Sequence, residues 1–114
     1  MLTRYCFALD LKEDPALMAG YDDWHQRVWP DIVRSIREAG IASMEIYRVH
    51  NRLFMIMETD ESFSFEKKAA LDQASTTVQA WETLMWTYQQ ALPFAKPGEK
   101  WLRMDKIFDL KNAE

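Results

Sequence analysis

The order of strand-like and helix-like segments constrains the fold of this chain more than any single motif does. Short runs rich in β-branched and aromatic residues alternate with longer regions whose apolar residues recur at helical spacing. The predicted strands are 4–11, 41–49, 52–59 and 101–110, and the predicted helices are 15–40, 62–75 and 76–92. This is a split βαβ pattern, which predicts an α+β, ferredoxin-like fold with an antiparallel sheet and helices on one face.

Capping and breaking residues set the limits of the first helical region. Asp14 followed by Pro15 combines a capping side chain with a proline at the first helical position. Pro30 lacks an N–H and clashes with the preceding turn, so the helix should break near Val28 and restart at Asp31. Gly40 is a typical residue to follow the end of the second half.

Two predicted strands are apolar on both faces. Residues 5–9 (YCFAL) and 54–57 (FMIM) are apolar at consecutive positions. A strand with one solvent-exposed face would instead alternate apolar and polar residues. Helices can cover only one face of the sheet. We therefore expect a homodimer packed sheet to sheet, which makes a dimeric α/β barrel.

Length and charge exclude several classes of protein. At 114 residues the chain is predicted to form a single domain over 1–114. The net charge of −4 and the absence of a basic cluster exclude a nucleic-acid partner. No apolar run approaches the roughly 18 residues of a membrane span, and no signal peptide is evident, so the predicted location is cytoplasmic.

The sequence predicts no metal and no nucleotide cofactor. It has two histidines and one cysteine, without HxH, CxxC or HExxH spacing. It has three glycines and no glycine-rich phosphate loop. Cys6 lies among apolar residues of the first strand and is interpreted as a small buried hydrophobe.

The stretch YDDWHQRVWPDI, residues 21–32, contains the main candidate site. Tyr21, His25 and Trp29 recur at intervals of four residues and should share one helical face. Spacing alone allows His25 to be either a packed core residue or a functional group. The carboxylates Asp22, Asp23 and Asp31 are interpreted as the solvated side of the helix, and His50-Asn51 as a two-residue hairpin turn.

The chain resembles the L-rhamnose mutarotase family, which includes members assigned to L-fucose. The resemblance extends from residue 4 to about residue 110. It is carried by YDDWH, WPD, EIYRV, LFMIME, VQAWETLM and the ending KIFDL.

The resemblance implies roles for particular residues. In that family a histidine of the first helix is assigned the proton transfers and a tyrosine one turn earlier lines the pocket, which correspond to His25 and Tyr21. A tryptophan of the later helix contacts the sugar, which corresponds to Trp81. We include Trp29 as a further substrate-binding candidate because of its spacing. The rhamnose enzymes tend to have a Trp-Trp pair where this chain has Trp81-Glu82, and WETLM and GEKW are more similar to the L-fucose branch.

The implied reaction agrees with the residues present. Mutarotation opens a pyranose by removing the anomeric proton and protonating the ring oxygen, then closes the ring on the other face of the carbonyl. It needs an acid and a base, and histidine can serve as either near neutral pH. The expected substrate is a monosaccharide, a 6-deoxy-L-sugar such as L-fucose or L-rhamnose, whose apolar face and methyl group suit aromatic rings.

Two other functions remain open at this point. The dimeric barrel plan is shared with monooxygenases and haem-binding proteins, in which a helix histidine can ligate iron. The chain can also be a dimeric sugar-binding module without catalysis. Haem spectra distinguish the first alternative, and anomer exchange distinguishes the second.

Overall fold

The computed structural model of the chain describes residues 1–113. Strands and helices alternate largely as the sequence predicts. The elements are β1 (Thr3–Leu11), α1 (Pro15–His25), α2 (Pro30–Glu38), β2 (Ile41–Val49), β3 (Arg52–Thr59), α3 (Phe65–Ala74), α4 (Thr76–Trp86), β4 (Gln89–Gln90) and β5 (Leu102–Arg103), followed by a 3₁₀ turn at Leu110–Asn112. In the part of the chain so described, no helix has the length and apolarity to cross a membrane.

The strands form one antiparallel sheet in the order β2-β3-β1, with β4 and β5 along the free edge of β1. A turn at His50 and Asn51 joins β2 to β3, and His50 has a positive φ of 49°. This topology confirms the predicted ferredoxin-like arrangement, in which the first and third strands are central. The limits of β2 and β3 match the prediction because both runs of strand-forming residues adjoin the turn residues His50 and Asn51.

The prediction of one continuous last strand at 101–110 is wrong. The edge of β1 is shared by two short segments, β4 opposite Asp10 and Leu11, and β5 opposite Phe7 and Ala8. β4 occupies one end of this edge, and β5 pairs with the middle of β1. The chain then turns at Asp109, whose carboxylate accepts hydrogen bonds from Lys106 and from the backbone of Lys111.

Three helix limits also differ from those predicted. The helix predicted over 76–92 ends at Trp86, and the one predicted from residue 62 begins at Phe65, where the Ser64 hydroxyl caps the backbone N–H of Lys67. Helix α1 ends at His25 rather than near Val28. The residue before Pro30, Trp29, has an extended ψ of 132°, as a following proline requires.

The core lies between the helices and one face of the sheet. Leu9, Leu11 and Leu53 are fully buried on that face and contact residues from α1, α2 and α4. The opposite face of β1 and β3 carries Cys6, Ala8, Phe54 and Ile56, which remain partly exposed. Their alternation with the buried residues explains why these strands are apolar at consecutive positions.

Candidate active site

A cavity of about 310 Å³ lies between the helices and the inner face of the sheet. This volume is at the lower end of the range for small-molecule sites, about 300–1,000 Å³. Apolar side chains of the sheet, Phe7, Met44, Ile46, Met55 and Met57, form one wall. Polar side chains enter from the helices and from the C-terminal loops; they are Tyr21, His25, Ser35, Lys68, Asp72, Glu82, Gln89 and Lys100.

His25 is the last residue of α1 and lines the cavity. Its Nδ1 atom lies 2.8 Å from the backbone carbonyl oxygen of Tyr21. A carbonyl oxygen only accepts hydrogen bonds, so Nδ1 must carry the hydrogen and donate it. In the neutral ring Nε2 is then the basic nitrogen. Among residues 1–113, no protein group forms a hydrogen bond with Nε2, which leaves it free to accept a proton.

Tyr21 lies one helical turn before His25, and its side chain is only 3% exposed. The centroids of the two rings are 4.2 Å apart. Burial raises the pKa of the Tyr21 hydroxyl to about 12, although the hydrogen bond from Gln89 acts in the opposite direction. The hydroxyl is therefore neutral at physiological pH. Because it already accepts a hydrogen bond from Gln89, at 3.4 Å, its own hydrogen remains available to a ligand.

Trp81 of α4 forms part of the cavity wall beside His25, with 6.0 Å between the ring centroids. Trp29 packs against the indole of Trp81 at 5.0 Å, but it is not one of the lining residues in the described chain. The structure therefore brings Tyr21, His25 and Trp81 together around one cavity. It places Trp29 behind Trp81 as a supporting ring.

An ion pair between Glu82 and Lys100 also lines the cavity. The Lys100 side chain is 14% exposed, and its ammonium lies 4.9 Å from the ring centroid of Trp86. Glu82 occupies the position at which the sequence departs from the Trp-Trp pair of the rhamnose enzymes. The departure from the Trp-Trp pair drew attention to Glu82 in the sequence. Its partner Lys100, in the loop between β4 and β5, was not predicted to line the cavity.

Four further polar side chains of the cavity were not predicted, namely Ser35, Lys68, Asp72 and Gln89. Lys68 and Asp72 form an ion pair at 2.6 Å on α3, at the i and i+4 spacing typical of helical pairs. Gln89 reaches the cavity from β4. The spacing of Lys68 and Asp72 predicts a helical ion pair, but it does not predict that the pair lines a cavity. Gln89 belongs to a two-residue strand, which is too short to show any periodicity in the sequence.

The Asp22 side chain is 44% exposed, in agreement with its interpretation as a residue of the solvated side of the helix, but it also has an ion-pair partner. Arg48 of β2 donates two hydrogen bonds to it, at 2.9 and 2.6 Å. These hydrogen bonds hold the pKa of the Asp22 carboxyl below its usual range. The pair connects the helical turn before His25 to the sheet, and therefore helps to fix the position of the imidazole.

The remaining histidine lies outside the cavity. His50 is exposed at the hairpin turn, where its Nε2 lies 2.8 Å from a carboxylate oxygen of Glu13. Across residues 1–113, histidine, cysteine and carboxylate side chains do not form a group of three or more that could hold a metal ion.

Comparisons with known proteins agree with this architecture. A crystal structure of an L-rhamnose mutarotase from Formosa agariphila superposes with a TM-score of 0.70 at 17% identity, covering 95% of this chain and 98% of the other. That likeness supports the fold. An L-fucose mutarotase from Xanthomonas campestris pv. campestris is 46% identical over an alignment of 114 positions, which covers 98% of this chain and 91% of the relative. A UPF0734 protein from Dictyostelium discoideum is 32% identical over 93% of this chain and 88% of its own length.

The family comparison covers nearly the whole chain. The family described as L-rhamnose mutarotase matches residues 4–110, which include every lining residue of the cavity. The chain therefore belongs to the L-rhamnose mutarotase family.

Proposed function

We propose that this protein is a mutarotase that interconverts the α and β anomers of a 6-deoxy-L-sugar, with L-fucose the first candidate and L-rhamnose the second. Family membership supports the activity, and it favours this reading over a haem-binding monooxygenase. The preference for L-fucose is supported by the relative at 46% identity, which is named an L-fucose mutarotase.

The observation that carries the proposal is the hydrogen bond from His25 Nδ1 to the Tyr21 carbonyl oxygen. It makes Nε2 the basic atom of a neutral imidazole on the wall of the cavity. Nε2 takes the proton from the anomeric hydroxyl O1. The C1–O5 bond then breaks, C1 and O1 become an aldehyde, and O5 takes the proton from the imidazolium. Because O1 and O5 are bonded to the same carbon, one nitrogen can reach both.

Ring closure reverses these transfers after rotation about the C1–C2 bond. The aldehyde then presents its other face to O5, and the opposite anomer forms. No proton is gained or lost over the cycle. Positioned proton transfer of this kind is typically worth about 10² to 10⁴ in rate.

Tyr21 and Trp81 have supporting roles in this proposal. The neutral Tyr21 hydroxyl can donate a hydrogen bond to a sugar oxygen and so orient the sugar beside His25. The indole of Trp81 can cover the apolar face of the sugar and its methyl group.

The proposal includes a homodimer in the cytoplasm. The outward face of the sheet supports the dimer, because Phe54 and Ile56 are partly exposed there and Tyr47 of the neighbouring strand is 53% exposed. The C-terminal segment adds Ile107, Phe108 and Leu110, at 96%, 69% and 78% exposure. An apolar surface of this kind is typical of a protein interface.

Saturation transfer between the α and β anomeric protons tests the activity. L-fucose, L-rhamnose and a hexose that retains its 6-hydroxyl are compared with and without the protein at equal concentration. We expect faster exchange for L-fucose, less for L-rhamnose and least for the hexose. A purified, folded protein that binds L-fucose without accelerating exchange would support the non-catalytic binding module instead.

A further inference from the structure

Gln89 is a buried polar residue whose hydrogen bonding is incomplete within the protein. It is 3% exposed, and its Nε2 donates to the Tyr21 hydroxyl at 3.4 Å. Its Oε1 is also buried, and no group within residues 1–113 forms a hydrogen bond with it. Buried acceptors are nearly always paired, so an unpaired one on a cavity wall requires an explanation.

Neither backbone movement nor rotation of the amide supplies the missing partner. The backbone of Gln89 is paired with Leu11 of β1 at the edge of the sheet, which holds the residue in place. Rotating the amide by a half-turn exchanges its oxygen and nitrogen, so that the oxygen accepts from the Tyr21 hydroxyl. The nitrogen is then the atom without a partner. One polar atom therefore remains unpaired in either orientation.

We propose that the free amide atom of Gln89 forms a hydrogen bond with the ring hydroxyl of the sugar at C2 or C4, and that this bond contributes to the choice of sugar. A hydroxyl group both donates and accepts, so it satisfies either orientation of the amide. L-Fucose and L-rhamnose differ in the orientation of the hydroxyls at C2 and C4. A site built to bind one hydroxyl discriminates strongly against a sugar that lacks it, because a buried polar group is then left unpaired.

The same amide connects sugar recognition to the proposed catalytic pair. Its other polar atom contacts the Tyr21 hydroxyl, and the Tyr21 ring lies 4.2 Å from the His25 ring. A sugar bound to Gln89 therefore lies in the cavity that His25 also lines. This inference rests on the proposed mutarotase function, and it adds a residue that recognises a hydroxyl group of the sugar.

The test combines a protein change with a change in the sugar. Gln89→Met removes the amide at nearly constant length, and Gln90→Met is the matched control, since Gln90 is the next residue of the same strand and is exposed. The exchange rate is measured against concentration for L-fucose and for its 2-deoxy, 3-deoxy and 4-deoxy analogues. KM does not depend on the amount of active protein, so partial loss of folded protein cannot imitate the result.

We expect Gln89→Met to raise KM for L-fucose by about 3- to 10-fold, the equivalent of one neutral hydrogen bond. One deoxy analogue should show no change in KM between the parent and Gln89→Met, since it lacks the hydroxyl that the amide binds. Gln90→Met should leave every KM unchanged. A Gln89→Met protein whose KM changes by the same factor for all four sugars, or does not change, would overturn the inference and leave Gln89 a structural residue.

A separate measurement distinguishes this inference from the proposed function. If the parent protein exchanges the anomers of none of these sugars, the mutarotase proposal fails. The dissociation constants of the same sugars, measured by titration calorimetry, then replace KM in the same comparison. Equal losses of affinity for all analogues would still overturn the role of Gln89, and a loss that disappears for one analogue would still support it.

Discussion

The imidazole of His25 donates a hydrogen bond through Nδ1 to the backbone carbonyl oxygen of Tyr21, at 2.8 Å, and its ring lies 4.2 Å from the Tyr21 ring. Both contacts follow from the i, i+4 spacing of the two residues in the last turn of α1. The helix therefore sets the tautomer of the histidine as well as its position. Its end at His25 leaves this ring at the boundary between helix and cavity.

Replacing His25 by asparagine should remove catalysis while retaining the fold. Asparagine can form a hydrogen bond but cannot take up a proton, so the exchange rate should fall by on the order of 10² or more. The free energy of unfolding should fall by about 1 kcal/mol or less, as expected for one hydrogen bond. Saturation transfer and chemical denaturation measure the two effects.

His50→Asn is the matched control for this change. His50 is exposed and has a positive φ, which asparagine tolerates well, so its replacement should leave the exchange rate unchanged. A folded His25→Asn protein with near-parental exchange would show that His25 is a packing residue only.

Replacing Tyr21 by phenylalanine should change the alkaline stability of the protein. The pKa of Tyr21 is about 12 in the folded chain, against 10.0 for an unperturbed tyrosine. Above pH 10 the unfolded chain loses this proton and the folded chain keeps it, so the free energy of unfolding should fall as pH rises from 10 to 12. The full difference of two pKa units lowers the free energy of unfolding by about 3 kcal/mol.

Urea denaturation at pH 9, 10 and 11 measures the slope of the free energy of unfolding against pH. Tyr21→Phe should have a shallower slope than the parent, because the group that titrates is absent. At pH 7 the variant should exchange anomers several-fold more slowly, since one hydrogen bond to the sugar is lost. Equal slopes in the two proteins would show that the Tyr21 hydroxyl ionises normally in the folded state.

The sequence predicted those parts of the fold that depend on local patterns. The limits of β2 and β3 follow from strand-forming residues on either side of a two-residue turn, and the start of α1 follows from the Asp14 cap, which accepts from the backbone of Leu17. The divided fourth strand depends instead on which residues reach the edge of β1. That pairing joins Gln89 to Leu11, residues far apart in the chain, and has no local signal.

The candidate site likewise contains some residues that local sequence patterns predict and others that they do not. Tyr21 and His25 are one helical turn apart, so their spacing predicts that they lie together, and the family resemblance adds Trp81. Gln89 enters the cavity from the two-residue strand β4, and Lys100 enters from the loop between β4 and β5. Their positions depend on the tertiary fold, and nothing in their immediate sequence distinguishes them from surface residues.

Trp81 and Trp29 should respond differently to replacement by phenylalanine. Trp81 lines the cavity, so Trp81→Phe should raise KM for the sugar by several-fold through lost contact area. Trp29 packs behind Trp81, so Trp29→Phe should lower the free energy of unfolding by about 1–2 kcal/mol and change KM little. Exchange rates at several sugar concentrations, together with urea denaturation, separate the two effects. A larger increase in KM for Trp29→Phe would place Trp29 in contact with the sugar.

Gly40 should be more sensitive to alanine than Gly98, although both have positive φ values, 97° and 86°. A Cβ atom at Gly40 would lie 2.6 Å from Ser62 Oγ and 2.8 Å from Asp60 Oδ1, whereas one at Gly98 would meet nothing within 4 Å. Gly98→Ala should therefore cost about 1 kcal/mol for the left-handed backbone alone. Gly40→Ala should cost about 1–3 kcal/mol more because its neighbours must move. Equal losses of unfolding free energy would show that the contacts at Gly40 adjust freely.

The proposed dimer should depend on exposed apolar residues that contribute little to the packing of the single chain. Ile107 is 96% exposed and Phe108 is 69% exposed, so replacing both with serine removes little packing within the chain. Light scattering of the parent should give twice the chain mass of 13.5 kDa. The double variant should dissociate at higher protein concentrations than the parent, because apolar area is lost from the interface.

Leu71→Ser is the control, since Leu71 is 44% exposed on α3, among the helices rather than on the outward sheet face. A parent that has the mass of one chain at micromolar concentration would contradict the dimer, and an unchanged dissociation midpoint in the double variant would exclude the C-terminal segment from the interface.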